Sequence, residues 1–486
     1  MRHCLRGHCF EIVPELTLPI LVDLIPERIA EVLFGPIKVI YGTRANLGWG
    51  MQEKAEQVVG ALQAQGFQAY FVGGCVRDLL LGSEPKDYDV ATDATPDQIL
   101  EIFPGALLVG AHFGVVIVEQ HIEVATFRSD HAYEDGRRPG RVEFESDPRQ
   151  DVLRRDFTIN ALLLNPETGE ILDFVNGRAD LESRLIRAIG EPSARFREDH
   201  LRLLRAVRFA ARLDFEIEPL TLAAIKDLAP LVARVSAERV RDELSRILTS
   251  GAARRGFELL DSTGLLPHIL PEISALKGVE QPPEFHPEGD VWTHTLIMLD
   301  GLPAGTPLTL ALGVLLHDVG KPTTFRFADR IRFDGHVEAG VEIARMLLSR
   351  LRYSKDEIAQ VEALIANHMR FKDLPNMRES KMKRFLRMPA FDQHLELHRL
   401  DCSSSSGHLE NYDFAKAKLA EEPAVSLKPK PLLTGHDLIT AGYQPGPQFS
   451  RMLTFIEDAQ LERAVNSKAE ALRLLQGAFP VLHLSE

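Results

Sequence analysis

A chain of 486 residues is long enough for several domains, and 45% hydrophobic with 26% charged residues is ordinary for a folded protein in water. No run of about 18 or more apolar residues occurs, and the best candidate, residues 16–25, is cut by Pro19 and Asp23. Neither a membrane span nor a signal peptide is expected. The formal charge of −14 argues against a protein coated in nucleic acid but leaves room for a local basic groove. Four scattered cysteines (Cys4, Cys9, Cys75 and Cys402) form no disulfide framework, so a cytoplasmic enzyme is expected.

Residues 1–50 carry no motif, and His3-Cys4 and His8-Cys9 read as an unstructured tail rather than a zinc site. This stretch is expected to be a dispensable extension upstream of a functional start at Met51. From there Ala55, Val58, Val59 and Leu62 fall at helical spacing. Residues 68–72 are a short strand, followed by Gly73-Gly74, where backbone N–H groups can approach a phosphate that any side chain would block. Residues 76–81 then start a helix, and Arg77 lies in its first turn. Asp87 and Asp89, two apart on an extended segment, present their carboxylates to one face, a pairing suited to Mg²⁺.

Each half is common alone: Gly-Gly is usually a turn, and Asp-x-Asp is usually a solvated strand edge. In this order, Phe71-Val72-Gly73-Gly74-Cys75-Val76-Arg77-Asp78 closed by Asp87-Tyr88-Asp89 resembles motif A of the tRNA nucleotidyltransferase and bacterial poly(A) polymerase family. That family is the class II branch of the DNA polymerase β-like nucleotidyltransferases. The resemblance implies Asp87 and Asp89 as catalytic metal ligands, with Gly73, Gly74 and Arg77 near the nucleotide. Two such ions, roughly 3.5 to 4 Å apart, would serve the attacking hydroxyl and the leaving pyrophosphate.

Thr95-Pro96-Asp97-Gln98 has the cap, first-turn proline and Gln of a helix start. Residues 115–118 and 122–127 flank a polar turn as in a hairpin. Glu123, in the second, is either an exposed strand residue or, by the resemblance, a third catalytic carboxylate. Residues 129–139 are polar and charged and are expected to be a mobile loop. They resemble the family's flexible loop, present in members that add adenosine. Residues 151–160, with Arg154-Arg155-Asp156-Phe157-Thr158-Ile159-Asn160 at their heart, combine guanidinium groups suited to triphosphate with an Asp and Asn suited to ribose. They resemble motif B.

Between residues 178 and 255 stand 15 Arg and one Lys against 12 acidic residues, so charge is patterned. Arg202, Arg205, Arg208 and Arg212 form one stripe of a helix led by Glu198-Asp199. An exposed, salt-bridged face is the plain expectation. The stretch resembles the family's Glu-Asp-x-x-Arg motif, which implies that Asp199 and Arg202 meet the Watson–Crick edge of C or A. Residues 237–244 resemble the next family helix, implying support for that pair.

Proline and glycine at 281–289 mark a boundary. Beyond it His294, His317-Asp318, His336, His368 and Asp401 follow in order, and imidazole with carboxylate suits divalent transition metals. The set resembles the HD-domain metal phosphohydrolases. That implies His294, His317, Asp318 and Asp401 as ligands, His336 and His368 for a second ion, and Mn²⁺, Co²⁺, Ni²⁺ or Zn²⁺ as the metal. Basic residues at 370–388 either grip phosphates of a tRNA arm or form a solvated face. Residues 423–431 read as a linker.

The expected fold is α+β: a small mixed-sheet nucleotidyltransferase head (51–177), a helical neck (178–280), an HD body (281–422) and a linker with helical tail (423–486). The expected activity is template-independent addition of CCA to tRNA from CTP and ATP. Alternatives are a poly(A) polymerase, disfavoured because residues 110–113 read Gly-Ala-His-Phe, an enzyme adding only the terminal A, an HD phosphohydrolase with an RNA-binding head, and an inactive tRNA-binding protein.

Overall fold

The computed structural model describes residues 50–109, 114–119, 121–133, 139–422 and 424–480. The helix Met51–Ala64 buries Ala55, Val58, Val59 and Leu62, the four residues at helical spacing, against the head sheet. That sheet has seven strands in the order β3-β4-β5-β2-β1-β8-β9. They are β1 (Ala69–Val72), β2 (Asp89–Thr92), β3 (Leu107–Leu108), β4 (Val115–Val118), β5 (Ile122–Thr126), β8 (Leu163–Leu164) and β9 (Ile171–Leu172). It is mixed, since β2 runs parallel to β5 but antiparallel to β1. Val118 pairs with Ile122 in the expected hairpin. The helix Pro96–Ile102 starts with a capping box between Thr95 and Gln98.

Two local expectations are corrected. Residues 129–139 are not simply a loop: β6 (Arg128–Tyr133) and β7 (Pro139–Phe144) form an antiparallel ribbon in which Tyr133 faces Pro139. The tip, 134–138, lies outside the described residues, as do residues 110–113 and 1–49. The glycine-turn helix begins two residues early, as Gly74–Leu80, because Gly73 takes the left-handed φ of 80° that ends β1 and starts the helix.

Past the head the described chain is almost entirely helical, giving the α+β fold expected. One apolar core runs from Phe157 and Ile159 through Leu203, Val207 and Phe257 to Leu315, Leu364 and Leu400. The segment that resembles motif B is thus anchored on the same core as the HD body. A separate core formed by Leu438, Met452, Ile456 and Leu475 holds the tail. Among the described residues no helix is long and apolar enough to cross a membrane. Cys75 and Cys402 are free thiols.

Three of the seven basic residues at 370–388 hold the tail. Lys383 is buried beside Glu379 and Glu422 and donates to the Leu461 carbonyl, while Arg384 and Arg387 both engage Glu457. Lys372, Arg378 and Lys381 stay exposed. Leu427, within the expected linker, is buried against Phe371 and Phe385, so that segment packs on the body.

Candidate functional site: a nucleotide cleft and a histidine cluster

A cleft of about 800 Å³ opens where the head meets the neck. Gly73, Gly74, Arg77, Asp87, Asp89, Arg154, Arg155, Asp156, Asn160, Asp199 and Arg202 all line it. Glu123 does not, but it sits opposite Asp89 on the parallel neighbour β5, with its side chain on the same face. Asp87 lies two residues before Asp89, the first residue of β2, and the exposed Asp87, buried Tyr88, half-buried Asp89 and buried Val90 alternate in burial. Burial, with Glu123 and Asp87 adding repulsion, pushes the Asp89 carboxyl up to about 6, against the pull of Arg155. Carboxylates that raise one another in this way fit a divalent cation.

Gly73 stands between the two charge systems. A Cβ built there would lie in ordinary contact, 3.6 Å from Asp89 Oδ2 and 3.8 Å from Arg155 Nη1, and it is the φ of 80° that favours glycine at this point of the cleft floor. Behind it, Asp151 is fully buried and takes both arginines, with Arg154 Nη2 at 2.5 Å and Arg155 Nη2 at 2.7 Å. The helix Pro148–Leu153 and the turn after it bring these three together at i, i+3 and i+4. Asp130 of β6 also lies 3.7 Å from Arg154, joining the ribbon to this pair.

Arg77, Asp156 and Asn160 line the cleft and are also engaged with one another. Arg77 donates to Asp78 at 2.6 Å and to Asn160 Oδ1 at 2.7 Å; Asn160 Nδ2 donates to Asp156 Oδ1 at 3.2 Å; Arg205 pairs with Asp156 Oδ2 at 2.6 Å. Burial alone would raise the Asp156 carboxyl, but Arg205, then Arg202 and Asn160, hold it down at about 2. The chain Asp78–Arg77–Asn160–Asp156–Arg205 is therefore a brace between head and neck.

The Glu-Asp-x-x-Arg stretch does not form one helix. Helix Pro192–Glu198 ends at Asp199, which is extended at φ −145° and ψ 106°, and helix Leu201–Leu213 follows. The break turns Asp199 toward the cleft. Arg239, from helix Ala237–Leu248, donates to both Asp199 oxygens at 3.0 and 2.7 Å. Arg202 donates to Glu198 at 2.6 Å and to the Arg154 carbonyl at 2.9 Å. The arginine stripe is not an exposed face: Arg202 and Arg208 are buried, and Arg208 pairs with Glu243 at 2.5 Å.

In the body, the six expected ligands converge. His294 lies within helix Val291–Asp300, His317 ends helix Leu308–Leu316, His336 opens helix His336–Arg350, and Asp401 lies in helix Phe391–Ser404. Ligand atoms of His294, His317 and Asp401 lie within 4.8 Å of one another, as do those of Asp318, His336 and His368. Asp318 joins the groups, with Oδ2 3.1 Å from His317 Nε2 and Oδ1 3.8 and 4.0 Å from His336 and His368 Nε2. Lys321 Nζ, 2.6 Å from Asp318 Oδ2, is buried and also bonds Gln281.

The tautomers follow from the partners. Nδ1 of His317, His336 and His368 each faces a backbone carbonyl, of Val314, Phe333 and Ile365, at 2.9, 2.8 and 2.7 Å. A carbonyl only accepts, so each Nδ1 carries the proton and each Nε2 offers a lone pair. Nε2 of His294, His317 and His336 is buried without a well-formed hydrogen bond, although carboxylate oxygens of Asp401 and Asp318 stand 3.2 and 3.1 Å from the first two. Imidazole nitrogens and carboxylate oxygens gathered in this way fit a transition metal. Burial opposes charge on His294, but Asp401 and Glu288 outweigh it and push that ring up to about 9; burial and His317 push His368 down to about 4.

The partners of these residues are less legible than the residues themselves. Asp151 opens the motif B stretch, Arg205 stands in the arginine stripe and Arg239 lies in 237–244, read as support for Asp199 and Arg202, but their individual pairings carry no local signal; His286 and Glu288 sit in the proline-rich boundary yet reach His294.

Three family patterns match the chain in order: the poly A polymerase head domain at residues 69–187, the probable RNA and SrmB-binding site of polymerase A at 214–277, and the HD domain at 290–398. In its head, neck and HD regions the chain is similar to the tRNA nucleotidyltransferase and poly(A) polymerase family. A head of this kind implies use of a divalent metal. Among similar proteins, the CCA-adding enzymes of Limosilactobacillus reuteri (strain DSM 20016) and Enterococcus faecalis (strain ATCC 700802 / V583) are 44% and 46% identical over 216 and 220 residues. These alignments take in 44% and 45% of this chain and 53% and 52% of the relatives, so the chain spans about half the length of the curated relatives it matches. The crystal structure of the Bacillus stearothermophilus CCA-adding enzyme in complex with CTP superposes with a TM-score of 0.68 at 27% identity, covering 88% of this chain and 98% of that one.

Proposed function

We propose that the chain adds CCA to the 3′ end of tRNA from CTP and ATP, as a cytoplasmic enzyme organised in the head, neck, HD body and tail set out by the sequence. The observation that carries this reading is the cleft itself, where Asp87 and Asp89 face the Arg154–Arg155 pair across Gly73 while Asp199 and Arg202 look in from the neck. The names of the relatives, CCA-adding enzymes, and the CTP in one of their structures support it.

Mg²⁺ held by Asp87 and Asp89, with Glu123 alongside, would activate the tRNA 3′-hydroxyl and neutralise charge on the departing pyrophosphate. Arg154 and Arg155, preset by Asp151, receive the triphosphate without having to be ordered first. Gly73 and Gly74 let it approach the backbone. Asp199 offers acceptors and Arg202 donors to the base edge, so the protein stands in for a template. The segment 129–139 is the element that adjusts this pocket from C to A.

The test is product length. With tRNA lacking its last three nucleotides, CTP alone should add two residues, and CTP with ATP three; with tRNA ending in CC, ATP alone should add one. A run of A residues would indicate a poly(A) polymerase, and a product only from the CC end would indicate an enzyme restricted to the last step.

A second activity is favoured by the buried imidazole nitrogens of the body. There His294, His317, Asp318 and Asp401 would hold Mn²⁺, Co²⁺, Ni²⁺ or Zn²⁺, with His336 and His368 for a second ion, and hydrolyse terminal or 2′,3′-cyclic phosphates on damaged tRNA ends. A metal in that place supplies activated water.

A further inference from the structure

His294 is the one cluster histidine whose Nδ1 is not held by a backbone carbonyl. Its Nδ1 lies 2.7 Å from Glu288 Oε1, and the same oxygen lies 2.8 Å from His286 Nδ1. Glu288 is close to fully buried, with a side chain 7% exposed, and stands six residues before His294 in a segment ahead of the matched HD region. The His286 ring meets His294 edge-on with centroids 5.1 Å apart. Ser404 Oγ also approaches His294 Nδ1, at 3.3 Å, but its proton goes to the Asp401 carbonyl at 2.9 Å.

We propose that Glu288 is a positioning residue for the HD cluster: it takes the Nδ1 proton of His294, fixes the ring, and turns its Nε2 to the metal position shared with His317 and Asp401. The inference rests on the reading of the cluster as a metal site. His286, donating to the same oxygen, holds the carboxylate in turn.

His286, Glu288 and His294 also lie within 4.8 Å of one another as possible ligands. A cation there would need Nδ1 of both rings stripped of their protons. His294 would then be protonated at Nε2, 3.2 Å from Asp401 Oδ1 and pointing into the other group. One ring cannot serve both groups with neutral imidazole chemistry, and the four histidines share a single pattern only if Glu288 does for His294 what carbonyls do for the rest. A histidine ligand that donates its second nitrogen to a carboxylate is more basic and better ordered, an effect worth about 10- to 100-fold in metal affinity.

The test uses the full chain stripped by chelator and titrated with Co²⁺ alone, read by its visible absorption and by competition with a chelator of known affinity. E288A should weaken the tightest site about 10- to 100-fold without changing the number of ions bound. E288Q, which keeps an acceptor but not the charge, should fall between E288A and the unmodified chain. The metal-free melting temperature of E288Q within a few degrees of the parent shows that the fold survives. Unchanged affinity in E288A, with binding lost in H317A, would overturn the positioning role and leave the metal site standing. Loss of one whole ion in both E288A and H286A would make Glu288 a ligand and overturn the proposal. Failure of the unmodified chain to bind Co²⁺ would remove the metal reading and this inference with it.

Discussion

Arg239 grips Asp199 with both prongs of its guanidinium, 3.0 and 2.7 Å from the two carboxylate oxygens, although 40 residues separate them. The residue proposed to meet the base is therefore set in place from the far side of the neck before any nucleotide arrives. A planar, bidentate clamp fixes the carboxylate plane as well as its position.

R239A should then act like a softened D199A. Hydrogen bonds to charged groups contribute about 1.5–3 kcal/mol, so correct incorporation should fall about 10- to 100-fold in R239A. Misincorporation of UTP and GTP should rise in R239A, D199A and R202A, with triphosphate affinity little changed. An equal fall for all four nucleotides, with fidelity kept, would make the clamp purely structural.

Asp151 is the hub of the arginine pair proposed to hold the triphosphate. Burial raises its carboxyl but Arg155 and Arg154 hold it below the ordinary value. D151N keeps the shape and removes the charge that both arginines share. Breaking a buried pair costs about 3–5 kcal/mol, so the urea midpoint should drop clearly and KM for both CTP and ATP should rise together. A stable D151N with unchanged KM would contradict the arrangement.

The contrast between these residues shows what could be read from the chain. Asp87, Asp89, Arg154, Arg155 and the His-Asp pair at 317–318 were legible because their chemistry sits in short local phrases, with glycines and strand alternation to orient them. Arg77, Asp156 and Asn160 were legible as cleft residues but not as a brace, because a pairing such as Arg77 with Asn160 spans 83 residues and is decided by packing. The break at Asp199 was hidden by a stretch of good helix formers on both sides. Residues 129–139 looked like a loop because their charges mask the period of two that pairs Ser129 with Glu143 and Asp130 with Val142. Glu288 was read only as part of a proline-rich boundary, since nothing local announces a hydrogen-bond partner of His294 six residues away.

His394 predicts an acid sensitivity of the body. It is buried, neither ring nitrogen has a hydrogen-bond partner, and burial with nearby Arg370 pushes it down to about 4. Between about pH 6.5 and 4 the unfolded chain takes up a proton that the folded chain refuses, so stability is lost as pH falls below 6.5. H394F should hold stability at pH 7 and lose about 2 kcal/mol less between pH 6.5 and 5, measured by urea unfolding at each pH. Parallel losses in both proteins would refute this.

Transfer and hydrolysis should separate by mutation, because their residues line two different sites, the cleft of head and neck and the histidine cluster of the body. H317A and D318A should eliminate turnover of p-nitrophenyl phosphate and 2′,3′-cAMP with every metal tried, and leave nucleotide addition near normal. Absence of hydrolysis by the unmodified chain, together with no bound transition metal by elemental analysis, would reduce the body to a part that positions tRNA.

The most direct measurement is CMP and AMP incorporation into truncated tRNA by D87A and D89A, alongside tRNA binding by the same proteins. Metal-dependent chemistry and contacts to backbone phosphate are separate contributions. Both variants should bind tRNA about as the parent does and incorporate nothing; retained incorporation by both would contradict the assignment of these carboxylates to catalysis.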